Sequence, residues 1–411
     1  MSLYELEISM KVFTKALLGM TVGLLVSHSS LAAEQLTVWE DLDKGHGIQP
    51  AIEAFEKEFN CKINLVQSDY VAHIQKLEEA VGNGATNLPD IVMLPADRLC
   101  DAAQKGLITP LNFMVSDRDI YLDSAVAAFT YNGQIFACPR SVETMVVYYN
   151  QDLMDYPFET MDEYYNFSIA MKNQGKNGVI GKWDNVYFVY GFIRGFGGYV
   201  FGKNGDGSLN PHDIGMNNSG AVMGADYLKN FVMNALPREV LGDGGWGALG
   251  QLFGSGRAAA IITGPWELEG IAKSGINYGV APLPKLPNGN YMCPFLGFRG
   301  YVITKFSKNH DLAEKFLRYI NQNQYALKRY EGIHEIPPVK SVMADSLIKN
   351  DDFANAVSVQ ALNAEPMPSI PEMAQVWGPM NDAISDIVTG KVPTKQALDD
   401  GVAKIKAAIG D

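Results

Sequence analysis

Apolar residues recur along this chain with two alternating periods. "LTVW" (Leu36–Trp39) is a short apolar run of strand character, with Trp39 its best core candidate. Helical spacing follows: Ile48, Ile52, Phe55 and Phe59 lie on one face of "GIQPAIEAFEKEF". "CKINLV" predicts a second strand, "AHIQKLEEAV" a helix, and "PDIVML" (Pro89–Leu94) a third strand. Strands alternating with helices imply a parallel sheet covered by helices. In such sheets ligands bind beyond the carboxyl ends of the strands. Two charged turns fall there. One is "EDLDKG", which carries Glu40, Asp41, Asp43 and Lys44; the other is "PADR" (Pro95–Arg98).

Farther on, "YNGQIFACP" predicts a hairpin turning at Asn132–Gly133. "VETMVVYYN" (Val142–Asn150), "AAAIITGPW" (Ala258–Trp266) and "PFLGFRGYVIT" (Pro294–Thr304) have strand character. "HDLAEKFLRYINQ" and the C-terminal "TKQALDDGVAKIKAAI" are amphipathic helices. No repeat or low-complexity tract interrupts the pattern.

A chain of 411 residues exceeds one ordinary hydrophobic core, which points to two domains. Lys11 and Lys15 precede the apolar run "ALLGMTVGLLV", and small residues follow near Ala33. Basic flank, short apolar stretch and small-residue exit predict a secretory signal over residues 1–33, too short for a comfortable membrane span. The full chain has 33 Lys and Arg against 46 Asp and Glu, a net charge of −13. Removing Glu5, Glu7, Lys11 and Lys15 leaves that balance unchanged. An acidic surface repels nucleic acid and anionic lipid. Cys61, Cys100, Cys138 and Cys293 are widely spaced without C-x-x-C, which argues against zinc; we expect free thiols. No metal or cofactor is expected. "NGDGS" (Asn204–Ser208) lacks most calcium-loop ligands and reads as a hairpin turn.

The candidate chemistry is a set of charges at strand ends and aromatics in turns: Asp43, Lys44, Asp97, Arg98 and Glu143, with Tyr187, Trp266 and Trp377. The mix suits a sugar. Hydroxyls bond charged partners at roughly 1.5–3 kcal/mol each, and the apolar face of a pyranose lies flat on an aromatic ring. The rival reading is glycoside cleavage by paired carboxylates, Glu143 with Asp97 or Asp43. No H-E-x-x-H or G-x-S-x-G motif is present.

The stretches "VWEDLDKG", "PDIVMLPADR", "YNGQIFACPRSVETMVVYYNQDLM", "YFVYGFIRGFGGYVF", "TGPWELEGI", "NYGVAPLP" and "MPSIPEMAQVW" occur in this order. Along essentially the whole mature chain the sequence resembles the periplasmic maltose/maltodextrin-binding proteins of bacterial ABC importers. The resemblance implies an α/β, two-lobed periplasmic-binding-protein fold, each lobe a mainly parallel sheet flanked by helices, with a multi-segment hinge. Lobe one would hold residues 34–140 and 301–346, and lobe two residues 145–295 and 352–411. The hinge would cross near 141–144, 296–300 and 347–351. Asp43 and Lys44 match the family's hydroxyl-binding Asp-Lys pair, Asp97 and Arg98 its Asp-Arg pair, and Glu143 its hinge-side glutamate. Tyr187, Trp266 and Trp377 match the stacking aromatics, and Trp246 an outer-subsite Tyr.

Departures from the pattern bear on which sugar is bound and how tightly. Leu94 replaces a stacking Trp and is expected as an apolar contact; Asn185 replaces a Glu, and Asn381 an Arg. Arg299 is unfamiliar at its position; pairing with Glu143 or contact with ligand are the alternatives, and a solvated hinge residue is expected. The resemblance implies a monomeric, non-enzymatic receptor in the periplasm. It would capture maltose or maltodextrin, or else trehalose or a β-linked disaccharide. Its partners would be the membrane permease subunits of an ABC importer, and the resemblance also allows a chemoreceptor.

Overall fold

The structure, a computed structural model, describes residues 34–411. The expected signal segment, residues 1–33, lies outside the described residues. Two sheets organise the rest. In the first, Gln35–Glu40 pairs in parallel with Lys62–Gln67 on one side and with Ile91–Pro95 on the other. The strand Phe295–Thr304 then runs antiparallel to Ile91–Pro95, to Ile108–Thr109 and to Ala137–Glu143. Glu365–Pro366 adds in parallel at its start. In the second sheet the order is Tyr278–Ala281, Val146–Asn150, Ala258–Thr263, Asn177–Gly181. Val146–Asn150 is antiparallel to both neighbours, and the last pair is parallel.

The opening strands and helices follow the sequence pattern, and parallel pairing holds among them. Both sheets are nonetheless mixed. The physical reason lies in the connections. Only Thr144 and Met145 separate Ala137–Glu143 from Val146–Asn150, so "VETMVVYYN" divides between the two sheets instead of forming one strand. A chain that crosses directly has no crossover helix, which parallel neighbours would require.

Alternation along Gln35–Glu40 buries Leu36, Val38 and Glu40. Trp39 is therefore half-buried at the core's edge, its ring 5.7 Å from that of His73, and Glu40 takes the inward position. Trp183 is fully buried between Phe192 and Phe231. Asn132 and Gly133 turn the short hairpin with φ of 48° and 75°, the paired positive values of a type I′ turn. "NGDGS" likewise joins the paired strands Gly202–Lys203 and Leu209–Asn210. Cys61 and Cys138 are buried; Cys100, Cys138 and Cys293 are free thiols, and Cys100 donates to the Ser369 carbonyl at 3.1 Å.

Candidate functional site

The strand ends converge on a cavity of about 530 Å³. From the first sheet come Tyr70, in the turn after Lys62–Gln67, and Asp97 and Arg98, in the turn after Ile91–Pro95. Glu143, the last residue of its strand, and Arg299 complete that side with Asp41. On the other side stand Tyr187, at the start of the helix Val186–Gly195, and Trp266, in the turn after Ala258–Thr263. Trp377 and Asn381 occupy the first turns of the helix Trp377–Thr389. Tyr187 is the centre of the aromatic wall: its ring centroid is 6.0 Å from that of Trp266 and 6.4 Å from that of Trp377. Gly264 allows Trp266 its place, because a Cβ there would stand 2.2 Å from the Trp266 ring.

Asp97, Arg98, Glu143, Asn185, Tyr187, Trp246, Trp266, Trp377 and Asn381 all border this cavity. Asp43 and Lys44 border an adjoining one of about 640 Å³, with Asp41 and Trp266 common to both. Asp43 is exposed with φ 57°, and Lys44 is buried. Trp246 is 45% exposed and meets the Phe188 ring edge-on at 5.1 Å. Asn185 caps its helix by accepting from the Tyr187 N–H at 3.0 Å. The Asn381 amide oxygen accepts from the Val186 N–H at 2.8 Å. Among the described residues both side-chain amide nitrogens lack a hydrogen-bond partner, so each remains a donor. Tyr187 Oη is buried and likewise unpartnered among the described residues. Such a group costs free energy until something in the cavity bonds it.

Two expectations are corrected. Leu94 is fully buried and does not reach the cavity: it lies in the core, one residue before the end of its strand. Arg299 is not solvated; it is 4% exposed and held by carboxylates. Its Nε lies 2.9 Å from Glu143 Oε2, and its Nη1 donates to Asp41 Oδ2 at 3.2 Å. Glu335 links this group to a second buried arginine, with Oε2 at 3.1 Å from Arg140 Nη2. Arg140 pairs in turn with Glu40 at 2.9 Å, and the Tyr301 hydroxyl donates to the same Glu40. A buried guanidinium requires such partners, since an unpaired charge in the interior is strongly destabilising.

Asp41, Tyr70, Glu267 and Arg299 also line the cavity, although they do not stand out as strand-end candidates. Asp41 belongs to the charged turn already noted, and Glu267 follows Trp266. Tyr70 lies past the carboxyl end of the second strand, where the same rule, applied once more, would have found it. Burial raises the Asp97 carboxyl above its ordinary value, with Arg98 at 3.5 Å offsetting part of the rise. Burial also raises Asp41 and Glu143, against the pull of Arg299, and Glu267, against that of Lys44. The Tyr70 hydroxyl is pushed up to about 12, first by burial. Among the described residues no cluster of His, Cys, Asp or Glu is arranged to hold a metal.

Comparisons with known proteins show the family of the chain. Residues 50–356 match the family described as bacterial extracellular solute-binding protein. A galactooligosaccharide-binding protein of Bacillus subtilis is 38% identical over 93% of this chain and 91% of its own. The maltodextrin-binding protein MdxE of the same organism is 33% identical over 86% and 85%. The crystal structure of MalX from Streptococcus pneumoniae in complex with maltopentaose superposes with a TM-score of 0.83 at 31% identity, covering 91% of this chain and all of that one. The chain belongs to the bacterial extracellular solute-binding proteins and has the two-lobed α/β fold of its sugar-binding members.

Proposed function

We propose that this protein is a periplasmic receptor that captures maltose or maltodextrin by hinge closure and delivers it to the membrane permease of an ABC importer. The observation that carries the reading is the shared cavity, where hydrogen-bonding charges from the ends of one sheet face flat rings from the other. A pyranose has the matching chemistry, hydroxyls at its edge and an apolar face. Asp43, Lys44, Asp97, Arg98 and Glu143 serve as hydroxyl partners. Tyr187, Trp266 and Trp377 serve as stacking surfaces, with Trp246 at the outer end and Asn185 and Asn381 as amide donors. The lobes are residues 34–140 with 301–346, and 145–295 with 352–411, joined near 141–144, 296–300 and 347–351. Contacts divided between lobes give the closed form its higher affinity, and a ligand shifts the equilibrium only by that difference.

The protein acts as a monomer after removal of residues 1–33, and its closed face is what the permease recognises; a chemoreceptor could read the same face. No bond is broken in the sugar. The Arg299 guanidinium beside Glu143 ties up the carboxylate that a glycosidase would need as acid or nucleophile. A second reading, a galactose-containing oligosaccharide as ligand, is favoured by the higher identity to the galactooligosaccharide-binding relative.

Titration calorimetry with maltotriose and with a galactotriose tests both. Saturable heat with maltotriose supports the first reading, and heat with galactotriose alone replaces it by the second. Neither sugar binding would remove the substrate assignment and leave the family intact. Trp266→Ala should weaken the bound sugar by about tenfold or more, the loss expected for a buried aromatic contact. Release of new reducing ends from maltodextrin would show an enzyme instead.

A further inference from the structure

Arg299 lies midway along Phe295–Thr304, where pairing with the neighbouring strand slips: Arg299 faces Ser141, but Gly300 faces Pro139. The extra residue of this bulge is Arg140 on the neighbouring strand, which turns inward, while Arg299 keeps its pairing and borders the cavity. Three sides of the group are fixed. Nε stands at Glu143, Nη1 donates to Asp41 and lies 3.9 Å from Glu335 Oε1, and Cζ sits 4.6 Å from the centroid of the Tyr70 ring. Nη2 has no hydrogen-bond or ion-pair partner among the described residues. Unlike Nε, it is not an enclosed atom without a partner, and the residue borders the cavity. The arrangement leaves one edge of a rigid donor fork turned to the space where a ligand would lie.

The charges around that space decide which ligand. Asp41, Asp97, Glu143 and Glu267 border the cavity against Arg98 and Arg299, four carboxyl groups to two guanidinium groups. Arg98 already pairs with Asp97, and Arg299 with Asp41 and Glu143. An anionic saccharide would meet an excess of like charge in this cavity, where both guanidinium groups are already paired, whereas a neutral one needs only donors and acceptors.

We propose that Arg299 is a specificity-determining residue of this site: its Nη2 donates to hydroxyl oxygens of the bound sugar, and its compensated charge makes the site select neutral over anionic saccharides. The proposal rests on the sugar-receptor reading. Lysine cannot replace it, because its compact ammonium lacks the planar fork that reaches Glu143 and Asp41 from two nitrogens and leaves a third to face the ligand.

The test is calorimetry on the full chain with maltotriose, galactotriose and trigalacturonate, on wild type and Arg299→Lys, beside the melting midpoint of each without sugar. We expect wild type to bind a neutral trisaccharide and trigalacturonate much more weakly. The variant should lose about tenfold or more in affinity for the neutral sugar, and it should melt earlier than wild type because a buried carboxylate loses its partner. Trigalacturonate binding as tightly as the neutral sugar, or a variant with unchanged affinity, overturns the proposal and leaves the receptor reading standing. Failure of wild type to bind any neutral trisaccharide overturns both. With the variant expected to melt early, the wild-type structure with bound sugar decides. Nη2 at about 3 Å from a sugar oxygen supports the proposal, and a sugar seated with every oxygen beyond about 4 Å ends it.

Discussion

At the scale of single residues, the site is governed by what burial does to charge. Asp41, Asp97, Glu143 and Glu267 all have carboxyls raised by burial above the ordinary 3.8 of Asp and 4.5 of Glu. A raised carboxyl supports the folded protein fully below its unfolded value, and that support is lost as pH climbs through the folded value. Sugar hydroxyls that donate to these groups favour the ionised form. Binding should therefore release protons and tighten as pH rises from about 4.5 through the raised values. Calorimetry in two buffers of different ionisation heat measures this, and net proton uptake would contradict it. Asp97, Arg98 and Glu143 were legible in the sequence because each sits at a strand end. Arg299 was legible only as an alternative, since position alone cannot tell a solvated arginine from one clasped by carboxylates that lie far away in sequence.

At the scale of elements, Phe295–Thr304 is the strand that ties the first sheet together. All ten of its residues are buried, and it pairs with four other strands. The run reads as a buried strand from its apolar content, and the structure agrees. Its tightest point is Gly300, where a Cβ would stand 2.8 Å from Phe129 Cζ and 3.1 Å from Ala137 Cβ. Gly300→Ala should thus cost about 1–3 kcal/mol by overpacking. Urea unfolding checks this through the midpoint at constant slope, and an unchanged midpoint would mean the strand relaxes freely. The apolar pattern foretold the helices Gln49–Phe59, His310–Ile320 and Thr394–Ile409 well, because amphipathic spacing is a local property. It did not foretell the break at Thr144 and Met145. Strand-forming residues lie on both sides of those two, and nothing local says that the partners change.

For the whole molecule, the two sheets exchange the chain more than once. It leaves the first sheet after Glu143 and returns at Phe295. On the receptor reading such paired crossings act as a hinge. A hundredfold excess of sugar over its Kd should stabilise the protein by about 2.7 kcal/mol, seen as a higher melting temperature. X-ray scattering should record a smaller radius of gyration on addition of maltotriose. A bound sugar that leaves the radius unchanged would rule out closure as the capture mechanism.

The sequence by itself determined the alternating elements, the acidic balance, and the charged and aromatic residues stationed at the ends of strands. Those features depend on period, composition and near neighbours, which a linear chain displays. The tertiary structure alone decided that Leu94 turns into the core and that Glu40 takes an inward position ahead of Trp39. It alone set Arg299 beside Glu143, Asp41 and Tyr70. Each of these depends on which distant segments share a low-dielectric interior. There a charge must find its partner across the fold, and no spacing along the chain encodes that distance.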